Sequence, residues 1–481
     1  MLNSFLVFTA SLAFGAETFE GLSFYIGDPH VHTGASADGG STDWGECEGT
    51  CGAIAELGTT ARANGLDWIS VTDHANGAMA EDELGYALVN ATIMGIHDPD
   101  GGFVTLPGAE LWFEDEAGQL GHKNLYLGGT NERLEDLVLD DVRPYGEDTR
   151  IEDCDAIWRW MAEIEDRLGP AMLIAHHPAG PGGMGTTWRC HEGDGAALYS
   201  PAVELYSRHG SSVECPADFD PLWMGCDDGR SVAVAMAPDD SARRLSFMAG
   251  TDAHDTMPGA VCSQETEMPH PYGGGLTVAV LDQDQDFDRA SLFEAIQQGS
   301  TYATSGPLLP VVVDYSAGGE RVGGMGDELP LAADQDLEFE LRVPEEYADT
   351  VTTVVLVTPE DSWTLEPQGE GRYGLAVAAQ DIPAWIYPRV EIDGERWYDA
   401  LCDDNGDDHR ELIWVSPSYP AVSAVDDTGP GADSEPGPEE GCGAGCAWGG
   451  AGPPVGMLLA LLVLPALHRR AEPQRNTKDP S

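Results

Sequence analysis

The chain almost lacks lysine: Lys123 and Lys478 are the only two, and 23 Lys+Arg stand against 84 Asp+Glu, a net charge of −61. That absence removes the basic footprint a phosphate backbone needs, so nucleic-acid binding through surface charge is excluded. Free polyanionic substrates are repelled as well unless bound cations reverse the field locally, so phosphate chemistry here requires metal. No C-x-x-C pair occurs among the ten cysteines, which argues against a Cys-ligated zinc. No internal repeat of fixed period is present. Apolar material is not scarce. Hydrophobic residues make up 42% of 481 residues and there are 12 Trp, too much for a disordered chain and enough for two or three folded units.

The ends carry the address. Residues 2–16, LNSFLVFTASLAFGA, form an apolar run of signal-peptide length ending in small residues, with no Lys or Arg ahead of it. Residues 1–16 therefore read as an export signal, the alternative being a buried first strand. Residues 421–441 are rich in Gly, Pro, Asp and Glu and read as a linker. Residues 442–470 follow, with Cys442 and Cys446, an apolar stretch through Gly456–Leu467, then His468, Arg469 and Arg470. That order predicts a membrane-spanning segment with its arginines inside, and it resembles the C-terminal surface-sorting signals of myxobacteria. The tail 471–481 departs from that pattern. The bulk of the chain is expected outside the cytoplasm, exported and anchored at the cell surface or outer envelope. The eight cysteines ahead of the tether (Cys47, Cys51, Cys154, Cys190, Cys215, Cys226, Cys262 and Cys402) read as disulfide formers of undetermined pairing, with a local Cys47–Cys51 loop among the options.

Between Ser23 and Ala249 seven short β-rich runs begin at residues 23, 68, 103, 123, 171, 202 and 245, and helical periodicity lies between several of them, clearest in Ala53–Ala63 and Ile151–Leu168. This alternation predicts an α/β fold, a barrel or open parallel sheet. After a last helix at Arg289–Gln298, strand-like pieces at 310, 337, 353, 388 and 412 predict a small all-β sandwich-like domain over residues 309–420, with the α/β unit occupying 17–308.

The chemistry is carried by the places where histidines and carboxylates fall. Asp28-Pro29-His30-Val31-His32 follows the first strand, Asp73-His74 the second and Glu110 the third. His122 opens the fourth, His176-His177 end the fifth, and Asp252-Ala253-His254 end the seventh. The carboxyl ends of parallel strands face one crevice, so these groups can converge although far apart in sequence. His122 is the exception, preceding its strand and having to reach the crevice from a loop. Imidazole with carboxylate suits Zn, Mn or Fe, and clustering them without metal leaves desolvated, mutually repelling carboxylates. A lone His beside a strand is more often a structural residue; the conjunction of seven of 13 histidines (30, 32, 74, 122, 176, 177 and 254) predicts a multinuclear metal site.

The order D-P-H-V-H-T, S-x-D-G, T-D-H, G-A-E, G-H, H-H-P and T-D-A-H, over about Phe24–Gly306, resembles the PHP domain, named for polymerase and histidinol phosphatase. GGLT at Gly274–Thr277 and the stretch Ser291–Gly306 are similar to a secreted branch of that superfamily without settled activity. The resemblance implies a distorted seven-stranded (β/α) barrel with two or three divalent metals. It places His30, His32, Glu110 and Asp252 on the first ion. Glu110 would bridge to a second held by His122 and His177, and Asp38, His74 and His254 would hold a third. Either residue of the His176-His177 pair can ligate; His177 is preferred because it precedes Pro178. Asp38 stands where some members have His, which favours Mn or Fe over Zn.

The expected activity is phosphoester hydrolysis of a small-molecule substrate by metal-activated water. Arg208 and His209 in LYSRHGSS are candidates to hold the substrate or protonate its leaving group, with a surface salt bridge the alternative for Arg208. Glu204 reads as packing or supporting the site. Two other functions stay open: a surface binding or display protein whose metals are structural, and a carbonyl-directed metallohydrolase, for which Lys123 is the one candidate bridging lysine.

Overall fold

The computed structural model describes residues 16–36, 53–76, 83–143, 150–237, 243–259, 274–306, 308–392 and 411–423. The expected export signal, Asp38, Cys47, Cys51, Cys262, Cys402, the linker and the segment 442–470 lie outside the described residues. Among the described residues no helix is long and apolar enough to cross a membrane.

Strands β1 (Glu17–Phe19), β2 (Leu22–Asp28), β3 (Trp68–Val71), β4 (Val104–Asp115), β5 (Gly118–Leu127), β6 (Ala171–Ala175), β7 (Ala202–Ser207), β8 (Gly210–Ser211) and β9 (Ser246–Ala249) alternate with helices. The helices are α1 (Leu57–Ala63), α2 (Glu83–Ile96), α3 (Asn131–Leu134), α4 (Leu139–Val142), α5 (Cys154–Leu168), α6 (Gly193–Tyr199) and α7 (Val232–Ala235). Then come β10 (Leu276–Asp282), α8 (Arg289–Gln298) and β11 (Thr301–Thr304). The remainder is all strand: β12 (Val312–Ala317), β13 (Glu320–Gly323), β14 (Glu328–Ala332), β15 (Leu337–Arg342), β16 (Val351–Val357), β17 (Ser362–Leu365), β18 (Pro367–Gly369), β19 (Arg372–Val377), β20 (Tyr387–Ile392), β21 (Glu411–Val415) and β22 (Tyr419–Ser423).

The result is a mixed α/β architecture around one large sheet of 15 strands, ordered β9-β7-β6-β5-β4-β3-β2-β10-β11-β21-β20-β16-β17, with β1 on β2 and β8 on β7. Parallel pairs (β9/β7, β7/β6, β4/β3, β3/β2) are interrupted by the antiparallel β4–β5 hairpin and by β10. The sheet is therefore neither the wholly parallel one nor the closed barrel of the sequence expectation. It curls until β9 meets β10 and β11, but side-chain hydroxyls replace the missing ladder there. Thr277 Oγ1 donates to the Ala249 carbonyl at 2.7 Å, Thr301 Oγ1 donates to the Phe247 carbonyl at 3.0 Å, and the Phe247 N–H donates to Ser416 Oγ at 2.9 Å. Just beyond that edge the backbone does join, as Val31 bridges Ala253 and the Asp252 N–H donates to the His30 carbonyl at 2.8 Å.

Residues 309–420 do not stand apart in the ladder. Tyr302 on β11 pairs with Val415 on β21, so β21, β20, β16 and β17 extend the large sheet, while β13-β12-β15-β19-β18 form a second sheet. One apolar core runs from Leu57 and Ile93 through Ile26 and Tyr302 to Phe339, Leu341 and Ile413, and the described residues form one compact unit. Burial of that continuous apolar surface fuses the pieces. α5 illustrates the local logic: Asp153 caps it by accepting from the Ala156 N–H, and Ile157, Met161, Ile164 and Leu168 recur at helical spacing on its buried face. Gly169, at φ 99°, ends it. Two disulfides are present among the described residues, Cys154–Cys190 at the start of α5 and Cys215–Cys226 across a loop after β8.

Candidate metal centre

His30 and His32 lie just past β2, two apart on extended chain, and both project into the crevice, where they are fully buried. His30 Nε2 stands 3.0 Å from His32 Nε2, 3.0 Å from Glu110 Oε2 and 3.3 Å from Asp252 Oδ1. His32 Nε2 lies 3.1 Å from Glu110 Oε2 and 3.2 Å from Asp252 Oδ1. Donors bound at 2.0–2.1 Å to one ion stand about 3.0 Å apart at right angles and about 3.3–3.4 Å apart in a tetrahedron, so these four atoms have ion-sized spacing.

Proton bookkeeping tests the fit. Glu204, on β7, faces His30 Nδ1 at 3.0 Å and His176 Nδ1 at 2.6 Å. A carboxylate only accepts, so His176 Nδ1 carries the proton toward it, while His30 Nδ1 stands between Glu204 and the Asn124 amide nitrogen at 2.9 Å; burial would lower both imidazoles, but Glu204 and Asp252 hold them above their ordinary value, so each inward Nε2 calls for positive charge beside it. His30 Nε2 faces two carboxylate oxygens and a second imidazole. One proton relieves one such pair, whereas a divalent cation relieves all four donors at once, so the residues fit a metal.

Glu110 and Asp252 use both oxygens. Glu110 Oε1 meets His122 Nδ1, with His74 Nδ1 at 3.9 Å. Asp252 Oδ2 meets His176 Nε2 at 3.2 Å and His209 Nε2 at 2.7 Å, and Asp252 Oδ1 meets His254 Nε2 at 3.2 Å. Burial alone would raise both carboxyls. Nearby imidazoles, His74 and His122 for Glu110 and His30, His176 and His209 for Asp252, instead hold both well below the usual range. His122 is pushed down to about 4, and His177 well below its ordinary value, mainly by burial, so both present neutral nitrogens. His177 and Asp252 adopt left-handed backbone, φ 28° and 54°, a conformation costing about 1–3 kcal/mol that the surroundings must impose.

Eight of the nine expected ligands, all but Asp38, converge on this crevice. His74 and His254 flank His32, with ring centroids 4.8 and 4.3 Å away. His177 lies beside His122 at 4.9 Å, while His176 belongs to the Glu204 and Asp252 network. One expectation is corrected: His122 does not reach in from a loop, nor does Glu110 end its strand. Both are within the long β4–β5 hairpin, where Trp112 pairs with His122, and because β5 runs antiparallel its early residues stand at the crevice end. His122 and Asn124 share one face of β5, and Lys123 points away, its Nζ donating to the Leu120 carbonyl at 3.2 Å. Burial pushes Lys123 down to about 7.

Arg208 is not a surface salt bridge. It is 2% exposed and donates through Nη1 to the Asp252 carbonyl at 3.1 Å, clamping the strained backbone there. Sequence reading assigned no role to Asn124, whose amide nitrogen lies against His30 Nδ1 and Glu204 Oε2, and it read Glu204 as packing or supporting the site, of which the contacts with His30 and His176 show the second. The hint for Glu204 was present, as a carboxylate in an otherwise apolar strand, AVELY, has to find a buried partner. Asp28 and Asp73, beside the histidines in sequence, are not ligands: Asp28 accepts from Thr251 and Gly259, and Asp73 from Thr33 and Ser36. They fix the loops that carry the ligands. No protein-family model matches the chain, and no curated protein is similar to it.

Proposed function

We propose that the chain is an exported, surface-tethered metal-dependent phosphoesterase of PHP type, its curled sheet serving as the distorted barrel of that superfamily. The observation that carries this reading is the split use of Glu110 and Asp252, each with one oxygen in the His30/His32 group and the other on a separate imidazole set. His30, His32, Glu110 and Asp252 would hold one ion, Glu110 with His122 and His177 a second, and His74 and His254, joined by Asp38, a third. Mn, Fe or Zn suits these donors. Divalent ions in such a cluster polarise a phosphoryl oxygen and lower the pKa of water. The chain does the rest: Glu204 holds His30 and His176 from the Nδ1 side with Nε2 directed inward, and Arg208 fixes Asp252. Export is supported by the two disulfides, which persist in oxidising compartments. The carbonyl-directed reading loses its candidate lysine, because Lys123 faces away from the donors.

The test is metal content by mass spectrometry with hydrolysis of p-nitrophenyl phosphate and its bis ester, using protein secreted into an oxidising compartment and His30→Ala with His32→Ala as control. Two or three equivalents of metal with control-sensitive phosphate release are expected. Metal-replete protein without turnover on either ester would refute the phosphoesterase assignment and leave a binding role or carbonyl substrates. Absence of stoichiometric metal would refute the centre itself.

A further inference from the structure

Two tryptophans touch the imidazoles of the crevice, and their surroundings differ. The Trp112 ring is stacked on His122, with centroids 4.4 Å and planes 29° apart, and stands edge-on to His74 at 5.8 Å. Its backbone is pinned by the Asn76 side chain, which accepts from the Trp112 N–H at 2.8 Å and donates to the Trp112 carbonyl at 3.0 Å. Trp112 is thus part of the wall that holds His122 and His74. Trp223 is 39% exposed, a large apolar ring left at the surface. It meets His209 edge to edge: the indole N–H donates to His209 Nδ1 at 3.0 Å, and the ring centroids are 6.2 Å and the planes 21° apart.

His209 Nε2 in turn lies 2.7 Å from Asp252 Oδ2. The two imidazole nitrogens point to opposite sides of the ring, so Asp252, His209 and Trp223 form a line running outward from the His30/His32 donor group. Along that line imidazole and indole make one nearly flat conjugated surface with an exposed end. The fold ties this surface down. The Trp223 backbone N–H donates to the His209 carbonyl at 3.1 Å, and the Asp227 N–H donates to the carbonyl of Ala179, which follows His177 and Pro178, at 2.8 Å. The Tyr206 hydroxyl donates to Asp220 Oδ2 at 2.9 Å, and Cys215–Cys226 closes the loop that carries Trp223. An indole held in place yet exposed forgoes the stabilisation of burial, and a stacking partner restores it.

We propose that Trp223 is the specificity-determining residue of the crevice, a platform for a flat ring in the alcohol part of the phosphoester, so that the substrate class is aromatic or heteroaromatic phosphoesters. The assignment rests on the phosphoesterase reading and names what that site selects. A phosphoryl group held beside Asp252 would have its organic part leave the crevice along the His209–Trp223 surface, where offset stacking favours a flat conjugated partner. A saturated, hydroxylated ring gains less there, because its hydroxyls need polar partners in place of water.

The experiment titrates the secreted full chain, loaded with Zn²⁺, with methylphosphonate, benzylphosphonate and cyclohexylmethylphosphonate, which bind without reacting, and reads affinity by calorimetry. Trp223→Phe and Trp223→Leu are compared with the parent, with zinc per chain measured by mass spectrometry. The parent is expected to bind the benzyl compound about tenfold more tightly than the methyl compound and about threefold more tightly than the cyclohexylmethyl one. Phenylalanine, which keeps a ring but loses the hydrogen bond to His209, should keep most of that preference, and leucine should reduce it to about twofold or less, both at parental zinc content. Equal benzyl and methyl affinities in the parent, or an undiminished preference in Trp223→Leu, overturns the proposal. Loss of the preference in both variants alike would make Trp223 a positioning residue for His209, loss of zinc would make it a support of the centre, and a cyclohexylmethyl affinity equal to benzyl would overturn the flat-ring class. A parent that binds the phosphonates in the expected order but hydrolyses neither p-nitrophenyl ester refutes the phosphoesterase reading alone. Hydrolysis without ring preference refutes this inference alone, and a loaded parent that binds no phosphonate overturns both.

Discussion

Glu204 offers the sharpest test of the centre because it touches none of the inward donor atoms and acts on two of them through the far side of their rings. Replacing it by Gln keeps the volume and one acceptor oxygen but turns the other position into an amide donor. That amide must face the His30 or His176 Nδ1–H, or the Asn124 amide nitrogen that now donates to Glu204 Oε2 at 3.3 Å. One imidazole is left free to rotate or change tautomer, and it also loses the basicity a carboxylate partner confers. Removal of such a partner costs 10- to 100-fold in metal affinity, or about 1.4–2.8 kcal/mol. The Ala variant should cost more, because it leaves two buried N–H donors unpaired at about 1–3 kcal/mol each and so lowers fold stability as well. Competition against a fluorescent chelator measures the first quantity and denaturant unfolding of the metal-free protein the second. Parental metal affinity in Glu204→Gln would refute the orienting role of Glu204, and an unchanged affinity with a large loss of stability would make Glu204 a packing residue only.

Three further outcomes follow from the same structure. Asp67 accepts the Ile26 N–H at 2.9 Å and is pushed up to about 7 by burial. A carboxyl raised on folding binds more protons in the folded state, so its stabilising share is full below its ordinary value and is lost as pH rises through about 7. Asp67→Asn should therefore leave stability near pH 4 almost unchanged and raise it by about 3–4 kcal/mol at pH 8, read from urea unfolding at both pH values. Serine at both Cys154 and Cys190, 36 residues apart, should cost about 3–4 kcal/mol of unfolding free energy and leave the metal stoichiometry intact. Gly250→Ala would place a methyl 2.5 Å from His30 Cβ, so it should destabilise by about 1–3 kcal/mol and weaken metal binding together, measured by thermal melting and metal content.

The sequence was most legible where the signal is local. α8 is found over the expected residues because Asp288 caps it, accepting from Ser291, and Gly299, at φ 80°, ends it. Each of the seven early runs lies within or overlaps a strand, since alternating and apolar runs are read within a few residues. The β4–β5 hairpin was read as two short strands because Glu114, Asp115, Glu116 and Gly118 interrupt its middle with residues of poor strand propensity, although pairing across the turn outweighs them. Missing that reversal is what made His122 look like a loop residue. Most of the ligands were legible because they sit in short motifs at strand ends, Glu110 and His122 being the exceptions inside the hairpin, but the state of each nitrogen was not. That state is set by contacts between residues far apart, Glu204 with His30 across 174 positions and Trp223 with His209 across 14. Sequence spacing can bring imidazoles to one crevice, yet only the neighbour behind each ring decides whether it turns a lone pair or a proton inward. In this crevice a carboxylate stands behind His30 and His176 and an indole behind His209.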